Sequence, residues 1–144
     1  LQDITSNVKF DLYGVNNIQP IWADHYFKTI ANAKMGLNLS RGEAIKYYSS
    51  DRITQIVGNG LVCLIDERTN YNNFFSNNEM VFYKSINDLS EKITKISSDE
   101  KLRKKIAKNG KLKYMKYFNS DLVSEYIIDK TLGIKSNKIY LWEK

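Results

Sequence analysis

A short segment, residues 49–60 (SSDRITQIVGNG), carries the side chains best suited to binding an anion. Ser49, Ser50 or Asp51 can begin a helix there, and the glycines at the end of the segment can stop it. The first amides of a helix lack partners within the helix, and the helix dipole places partial positive charge at that end. Arg52, in the first turn, can hold phosphate through its planar guanidinium. The segment therefore predicts a site for a diphosphate at the helix start.

A purely structural role accounts for the same residues. Ser50 and Asp51 can simply cap the helix, and Arg52 can pair with a carboxylate on the surface. Gln55 lies about one turn beyond Arg52, where its side-chain amide can meet a ribose hydroxyl or face solvent. The sequence leaves both alternatives open.

The elements that would position this segment follow from the apolar patterning. Strand-like runs occupy residues 8–15, 35–40, 61–66 and 80–85. Helical stripes occupy residues 22–34, 49–60, 87–97, 99–117 and 120–132, with a short helix within 69–79. Strands that alternate with helices predict an α/β fold of the Rossmann-like type, a doubly wound parallel sheet with helices on both faces. We expect one domain over residues 1–144, ending in a tail at 134–144 that is either an edge strand or loosely packed.

In such a sheet, ligands bind beyond the carboxyl ends of the strands. The candidate ligand loops therefore follow residues 15, 40 and 66. Gly14 closes the first predicted strand, where it can let the backbone approach a ligand closely or simply form a turn. Asn38 and Ser40 end the second predicted strand and join the candidate binding residues. Lys34 and Arg41 can add positive charge nearby or remain solvated.

Several kinds of catalytic site lack their sequence signatures. The chain has no G-x-G-x-x-G and no P-loop motif, so dinucleotide or triphosphate binding of those types is not expected. Its one histidine, His25, has neither a second histidine nor a G-x-S-x-G nucleophile elbow to work with. Its one cysteine, Cys63, excludes an internal disulfide and a multi-cysteine zinc site. This cysteine usage indicates the cytoplasm.

The net charge of +6 is concentrated in one predicted helix, residues 99–117. Its basic residues are Lys101, Arg103, Lys104, Lys105, Lys108, Lys111, Lys113 and Lys116. Between them, Leu102, Ile106, Leu112 and Met115 have the spacing of a buried helical face. The lysine-rich side can be merely solvated, or it can contact nucleic acid or the anionic inner face of a membrane. No run of about eighteen apolar residues exists, so no segment is predicted to span a bilayer.

Motifs spread along most of the chain resemble those of a known enzyme family. They are NAKMGLN (32–38), SSDRITQIVGNG (49–60), LVCLID (61–66), EMVFY (79–83), DLSEKI (88–93) and RKKIAKNG (103–110). In this order and spacing they resemble the C-terminal domain of GT-B glycosyltransferases of the family-1 type, nearest to the spore-maturation (CgeB-like) proteins. The resemblance covers residues 8–133.

This resemblance implies a domain that grips a nucleotide-diphospho-sugar donor and transfers its hexosyl group, with retention, without a bound metal. An N-terminal domain would bind the acceptor and usually supply the catalytic base, so no catalytic residue is assigned here. The lack of an initiator methionine fits a domain of a longer chain. Arg52 takes the place of a family arginine, and Gln55 stands where the family has a ribose-binding glutamate. Another family glutamate would fall near Tyr47, with Glu43 the nearest acid.

Three functions remain in competition at this point. The first is the donor domain of a glycosyltransferase, with a glycan, lipid or protein as acceptor. Its donor-binding residues would be Gly14, Asn38, Ser40, Ser49, Ser50, Arg52 and Gln55. The second is a non-catalytic module of glycosyltransferase-like fold, which the glutamine at position 55 favours. The third is a receiver-type regulatory domain, which needs an acidic cluster at strand ends, where only Asp66 and Glu67 qualify.

Overall fold

The structure, a computed structural model, describes residue 5 and residues 7–39, 42–48 and 50–143. The helices in these ranges are α1 (Ala23–Asn32), α2 (Asp51–Gly58), α3 (Ile86–Ser98), α4 (Glu100–Tyr117) and α5 (Ser120–Leu132). The strands are β1 (Met35–Asn38), β2 (Val62–Asp66) and β3 (Val81–Tyr83). Short 3₁₀ segments occur at Glu67–Thr69, Tyr71–Asn73 and Leu141–Glu143.

The strands form one parallel sheet in the order β1-β2-β3. Met35 of β1 pairs with Val62 of β2, and Leu64 of β2 pairs with Val81 of β3. Residues 62–65 are all buried, because helices cover the sheet on both sides and leave no polar face. The α/β architecture with a parallel sheet of the Rossmann-like type, predicted from the alternation of elements, is confirmed.

Alternate side chains of β2 belong to two apolar clusters, one on each face of the sheet. Cys63 and Ile65 join the cluster under α2, whereas Val62 and Leu64 join the cluster under α3. Burial raises the pKa of the Cys63 thiol to about 12, so it stays protonated and packs as a small apolar group. The core is therefore continuous through the sheet.

Helix α4 packs against the amino edge of the sheet, where the strands begin. Its buried residues are Arg103, Ile106, Ala107 and Gly110. A Cβ atom on Gly110 would lie 2.3 Å from the carbonyl oxygen of Glu79, just before β3. The side chain of Lys111 lies beside Gly60, just before β2. The small residues of α4 thus let its backbone approach the strand starts.

The buried face of α4 differs from the prediction. Ile106 is buried, but Leu112 is 60% exposed and Met115 is 48% exposed. The sequence pattern predicted that the large apolar residues form the buried face. Close approach of α4 to the strand starts instead requires the small side chains of Ala107 and Gly110. Leu112 and Met115 are consequently left on the outer side of the helix.

The strand predicted at residues 8–15 does not form. Val8 and Phe10 pack against the apolar cluster on the α3 face, yet this range contains no strand. Gly14 has φ of +73° and its N–H donates to the carbonyl of Ile18 at 3.0 Å, which closes a turn. Val8 and Phe10 are alternate residues that pack on the core, so the sequence alternates as it does in a strand. No backbone hydrogen bonds to a neighbouring strand are needed for this, and the prediction was therefore wrong.

The tail packs on α5 through aromatic rings. Tyr140 is 4% exposed, and its ring lies 4.8 Å from that of Tyr126 in an edge-to-face arrangement. Trp142 contacts Tyr126 and Phe118, with ring centroids 5.5 and 5.7 Å apart. Across residues 134–143 the chain contains no strand, so the edge-strand alternative is wrong and the tail is held by these rings.

In the ranges that the structure covers, no helix combines the length and the apolar character needed to cross a membrane. This agrees with the absence of a long apolar run in the sequence.

Replacing Gly110 by alanine should destabilise the fold by about 1–3 kcal/mol, because the new methyl group would overlap the backbone carbonyl of Glu79. The free energy of unfolding, measured by urea titration, tests this. Gly58→Ala is the matched control. It adds a methyl at the end of α2, 3.7 Å from Met115, and should be neutral or stabilise by up to about 1 kcal/mol. Equal destabilisation by both changes would contradict the packing described here.

Candidate functional site

The carboxyl ends of the three strands lie along one edge of the sheet and end at Asn38, Asp66 and Tyr83. Helix α2 begins at this edge, where the hydroxyl of Ser50 donates to Oδ1 of Asn38 at 3.2 Å. Asn38 is only 5% exposed, so this hydrogen bond ties the helix start to a buried group. Two of the residues predicted from sequence to bind a ligand are thereby brought together.

Ser50 and Arg52 make contacts other than those of the structural alternative for the start of α2. The Ser50 side chain makes no capping hydrogen bond to the helix, because its hydroxyl is directed to Asn38. Nη1 of Arg52 donates to the backbone carbonyl of Leu39 at 2.6 Å, and within the described ranges no carboxylate pairs with this guanidinium. The guanidinium and the first amides of α2 therefore lie together beside the end of β1.

The other predicted residues take different places. Gln55 is half-buried on α2, and its backbone carbonyl accepts a hydrogen bond from Nδ2 of Asn59 at 2.7 Å. Gly14 is exposed in its own turn, which corresponds to the turn alternative. Ser40 and Ser49 lie outside the described residues, as does Arg41.

Lys34 immediately precedes β1, so it lies at the amino edge of the sheet. The four residues of β1 separate it from the candidate site by roughly 13 Å. Lys34 is exposed there, which corresponds to the solvated alternative. His25, on α1, is exposed, and its ring meets the edge of Tyr13 at 6.1 Å.

The loop before α2 is attached to the segment after β2 through Tyr47. The N–H of Tyr47 donates to the carbonyl of Thr69 at 2.8 Å, and Nδ2 of Asn73 donates to its hydroxyl at 2.6 Å. The Tyr47 ring also lies 5.1 Å from that of Phe74. The place that the family resemblance gives to a second glutamate is thus taken by a residue that joins two loops of the carboxyl edge.

Asp66 and Arg68 form a two-point ion pair at the end of β2. Nε and Nη2 of Arg68 donate to the Asp66 carboxylate at 3.1 and 2.8 Å. These hydrogen bonds hold the pKa of Asp66 below its usual value of 3.8. The carboxylate is therefore already engaged, which removes the free acidic cluster that a receiver-type domain requires.

Beside this ion pair lies a shallow depression of about 330 Å³. Its lining residues are Glu67, Arg68, Asn70, Asn72 and Lys84. Sequence reasoning selected the loop after residue 66 but none of the amide and basic side chains in it. These side chains match no sequence motif. Only their position just beyond the carboxyl ends of β2 and β3 could have indicated that they line a site.

In the part of the chain that the structure describes, no group of three or more His, Cys, Asp or Glu side chains is placed to hold a metal ion.

Comparison with protein families matches residues 1–129 to a family described as glycosyl transferase-like. The chain belongs to this family. The match confirms the resemblance to group 1-type glycosyltransferase domains, while the narrower CgeB-like assignment stays a prediction. No curated protein and no solved structure matches the chain significantly.

Substitution of Arg68 by methionine should raise the pKa of Asp66, because the side-chain hydrogen bonds that lower it are lost. A carboxyl group whose pKa is lowered in the folded state stabilises that state above its usual pKa, and the contribution is lost as pH falls through the folded-state pKa. The free energy of unfolding of the parent should therefore exceed that of the variant at neutral pH. This difference should disappear as the pH falls below 3.8. Urea titrations along this pH series measure it.

Lys95→Met is the matched control, since it removes an equal charge from an exposed position on α3, away from Asp66. Its stability difference from the parent should not follow the Asp66 titration. An Asp66 carboxyl titration, followed by NMR, that is the same with and without Arg68 would contradict the assignment.

Proposed function

We propose that this domain binds the nucleotide-diphospho-sugar donor of a glycosyltransferase of the GT-B type, which transfers a hexosyl group to a glycan, lipid or protein acceptor. One observation carries the proposal. The Ser50–Asn38 hydrogen bond places the first turn of α2 at the carboxyl edge of the parallel sheet, with Arg52 beside it. In α/β sheets of this kind, that edge is where ligands bind.

The diphosphate of the donor would lie against the first amides of α2. These amides and the helix dipole favour an anion, and Arg52 adds a full positive charge. Its hydrogen bond to Leu39 uses one N–H of the five that a guanidinium carries, so others are left to reach phosphate oxygens. As the sugar departs, negative charge grows on the diphosphate, and these groups would stabilise it without a metal.

The nucleoside and the sugar would extend along the same edge. Gln55, about one turn into α2, would donate or accept a hydrogen bond with a ribose hydroxyl. The amides of Asn70 and Asn72 line the depression after β2 and offer polar partners for sugar hydroxyls. The acceptor and the catalytic base would come from a second, N-terminal domain, which this domain would face across a cleft.

A non-catalytic binding module is the second candidate. Gln55 favours it, because a glutamine cannot provide the negative charge of the family glutamate at the ribose. Such a module would keep the fold and its carboxyl edge but would have no affinity for nucleoside diphosphates. Nucleotide binding therefore separates the two functions.

A nucleoside diphosphate should stabilise this domain against thermal unfolding. At a concentration one hundred times the Kd, a ligand that binds only the folded state contributes about 2.7 kcal/mol, which raises the Tm measurably. Uridine and guanosine diphosphates are the probes, with the corresponding nucleosides as controls that lack the anion. No shift in Tm with millimolar diphosphates would favour the non-catalytic module.

Arg52→Ala should weaken diphosphate binding by about tenfold to a hundredfold, since a hydrogen bond to a charged group contributes about 1.5–3 kcal/mol. Titration calorimetry measures the Kd. Lys95→Ala removes an equal charge from an exposed position on α3 and should leave the Kd within about twofold. If both variants bind as tightly as the parent, the start of α2 is not the diphosphate site.

Gln55→Glu should strengthen the binding of a nucleoside diphosphate by about fivefold, because a carboxylate accepts a stronger hydrogen bond from a ribose hydroxyl than an amide does. The matched probe is the same nucleotide without its ribose hydroxyls, for which the gain should vanish. A gain of the same size with that probe, or a loss with both, would show that Gln55 does not meet the ribose.

A further inference from the structure

One side of α4 carries a stripe of lysines that has no part in the proposed donor site. Its exposed lysines are Lys101, Lys104, Lys105, Lys108, Lys111 and Lys116. At about 100° of rotation per residue, they fall within an arc of about 140°. Gly110 and the other buried residues of α4 lie on the opposite side of the helix.

Two exposed apolar side chains lie within this lysine stripe. Leu112 is 60% exposed and Met115 is 48% exposed, and their angular positions fall between those of the flanking lysines. Glu100 is the one acidic residue of α4, and its carboxylate is already paired with Lys104 at 2.7 Å. On a membrane surface, the long lysine side chains can reach the headgroups while neighbouring apolar side chains enter the interface.

The lysine stripe faces away from the candidate donor site. The buried side of α4 lies against the amino edge of the sheet, where Gly110 meets the backbone carbonyl of Glu79. The start of α2 lies at the carboxyl edge, beside Asn38. A partner bound to the stripe would therefore leave the donor site open.

We propose that the lysine stripe docks the domain on an anionic lipid bilayer. The 18 residues of α4 are about 27 Å long, which allows several lysines to meet lipid phosphates at once when the helix lies flat. Each basic residue near such a surface contributes about fivefold to partitioning. Leu112 and Met115 enter the boundary between headgroups and acyl chains.

Nucleic acid fits the lysine stripe less well than a bilayer does. Proteins favour arginine for two-point contacts with phosphate, and the one arginine of α4, Arg103, is buried with its Nη1 directed to the carbonyls of Ile96 and Ser97. Leu112 and Met115 would also be pressed against a polar phosphate backbone, where they gain nothing. The two apolar residues therefore distinguish the bilayer from nucleic acid.

Cosedimentation with lipid vesicles tests the proposal on the 144-residue chain. The vesicles contain phosphatidylcholine alone, or phosphatidylcholine with about one third phosphatidylglycerol. We expect binding to the anionic vesicles only, and its loss in about 1 M salt, where the Debye length falls to about 3 Å. Equal binding to neutral vesicles, or no binding to either kind, would overturn the proposal.

Charge reversal on the lysine stripe gives the sharper comparison. The double variant Lys105→Glu, Lys108→Glu should reduce binding to anionic vesicles by at least tenfold, since two attractive charges become repulsive. The control, Lys28→Glu with Lys135→Glu, makes the same change in net charge at exposed positions outside α4 and should stay within about threefold. Equal losses in both variants would show a general charge effect and contradict a specific docking face. Circular dichroism verifies that both remain folded.

A second double variant, Leu112→Gln with Met115→Gln, keeps every charge and removes the apolar side chains. Binding to anionic vesicles should fall by about tenfold, because insertion of the two side chains is lost. If this variant binds vesicles like the parent, and the parent binds duplex DNA as tightly as vesicles, the stripe serves nucleic acid instead. The vesicle experiments do not test the donor proposal, which is tested by the rise in Tm with nucleoside diphosphates.

Discussion

The close packing of α2 on β1 at Gly36 is the constraint on which the candidate site depends. A Cβ atom at this position would lie 2.5 Å from Cγ1 of Ile56, so the strand can carry no side chain there. Ile56 rests directly on the strand, and α2 is held at a depth that lets Ser50 reach Asn38. A second tie, the 2.8 Å hydrogen bond between the hydroxyls of Thr54 and Tyr114, joins α2 to α4. The anion-binding end of α2 is therefore placed by core packing.

The two edges of the sheet have separate structural roles. The carboxyl edge gathers polar groups, whereas the amino edge is closed by α4. Glu79 strengthens this closure, because its carboxylate accepts hydrogen bonds from the N–H of Ser76 at 2.7 Å and from Nζ of Lys113 at 2.9 Å. Burial tends to raise the pKa of Glu79, but the hydrogen bonds from Ser76 and Lys113 outweigh it and lower the pKa overall. The charged carboxylate thus fastens α4 to the turn before β3.

The candidate site was only partly visible in the sequence. Ser50 and Arg52 could be found because a helix start has a local signature of residue types. The contacts they make could not be, since Asn38, itself a predicted site residue, and Leu39 are more than ten residues away and meet them only after folding. The pairing of Asp66 with Arg68 was missed for another reason. Two neighbouring residues of opposite charge at a strand end give no signal that separates an ion pair from two solvated groups.

The sequence by itself determined the α/β class, strands β1 to β3 and the presence of helices α1 to α5, because these depend on local apolar patterns and on helix starts and stops. Only the tertiary structure decided that the segment containing Val8 and Phe10 packs without pairing, and that Leu112 and Met115 face outward. The sequence pattern shows which residues are apolar, but the shape of the neighbouring surface determines which face of a helix is buried. At α4 that selection rests on Gly110, whose missing side chain lets the helix meet the backbone of Glu79.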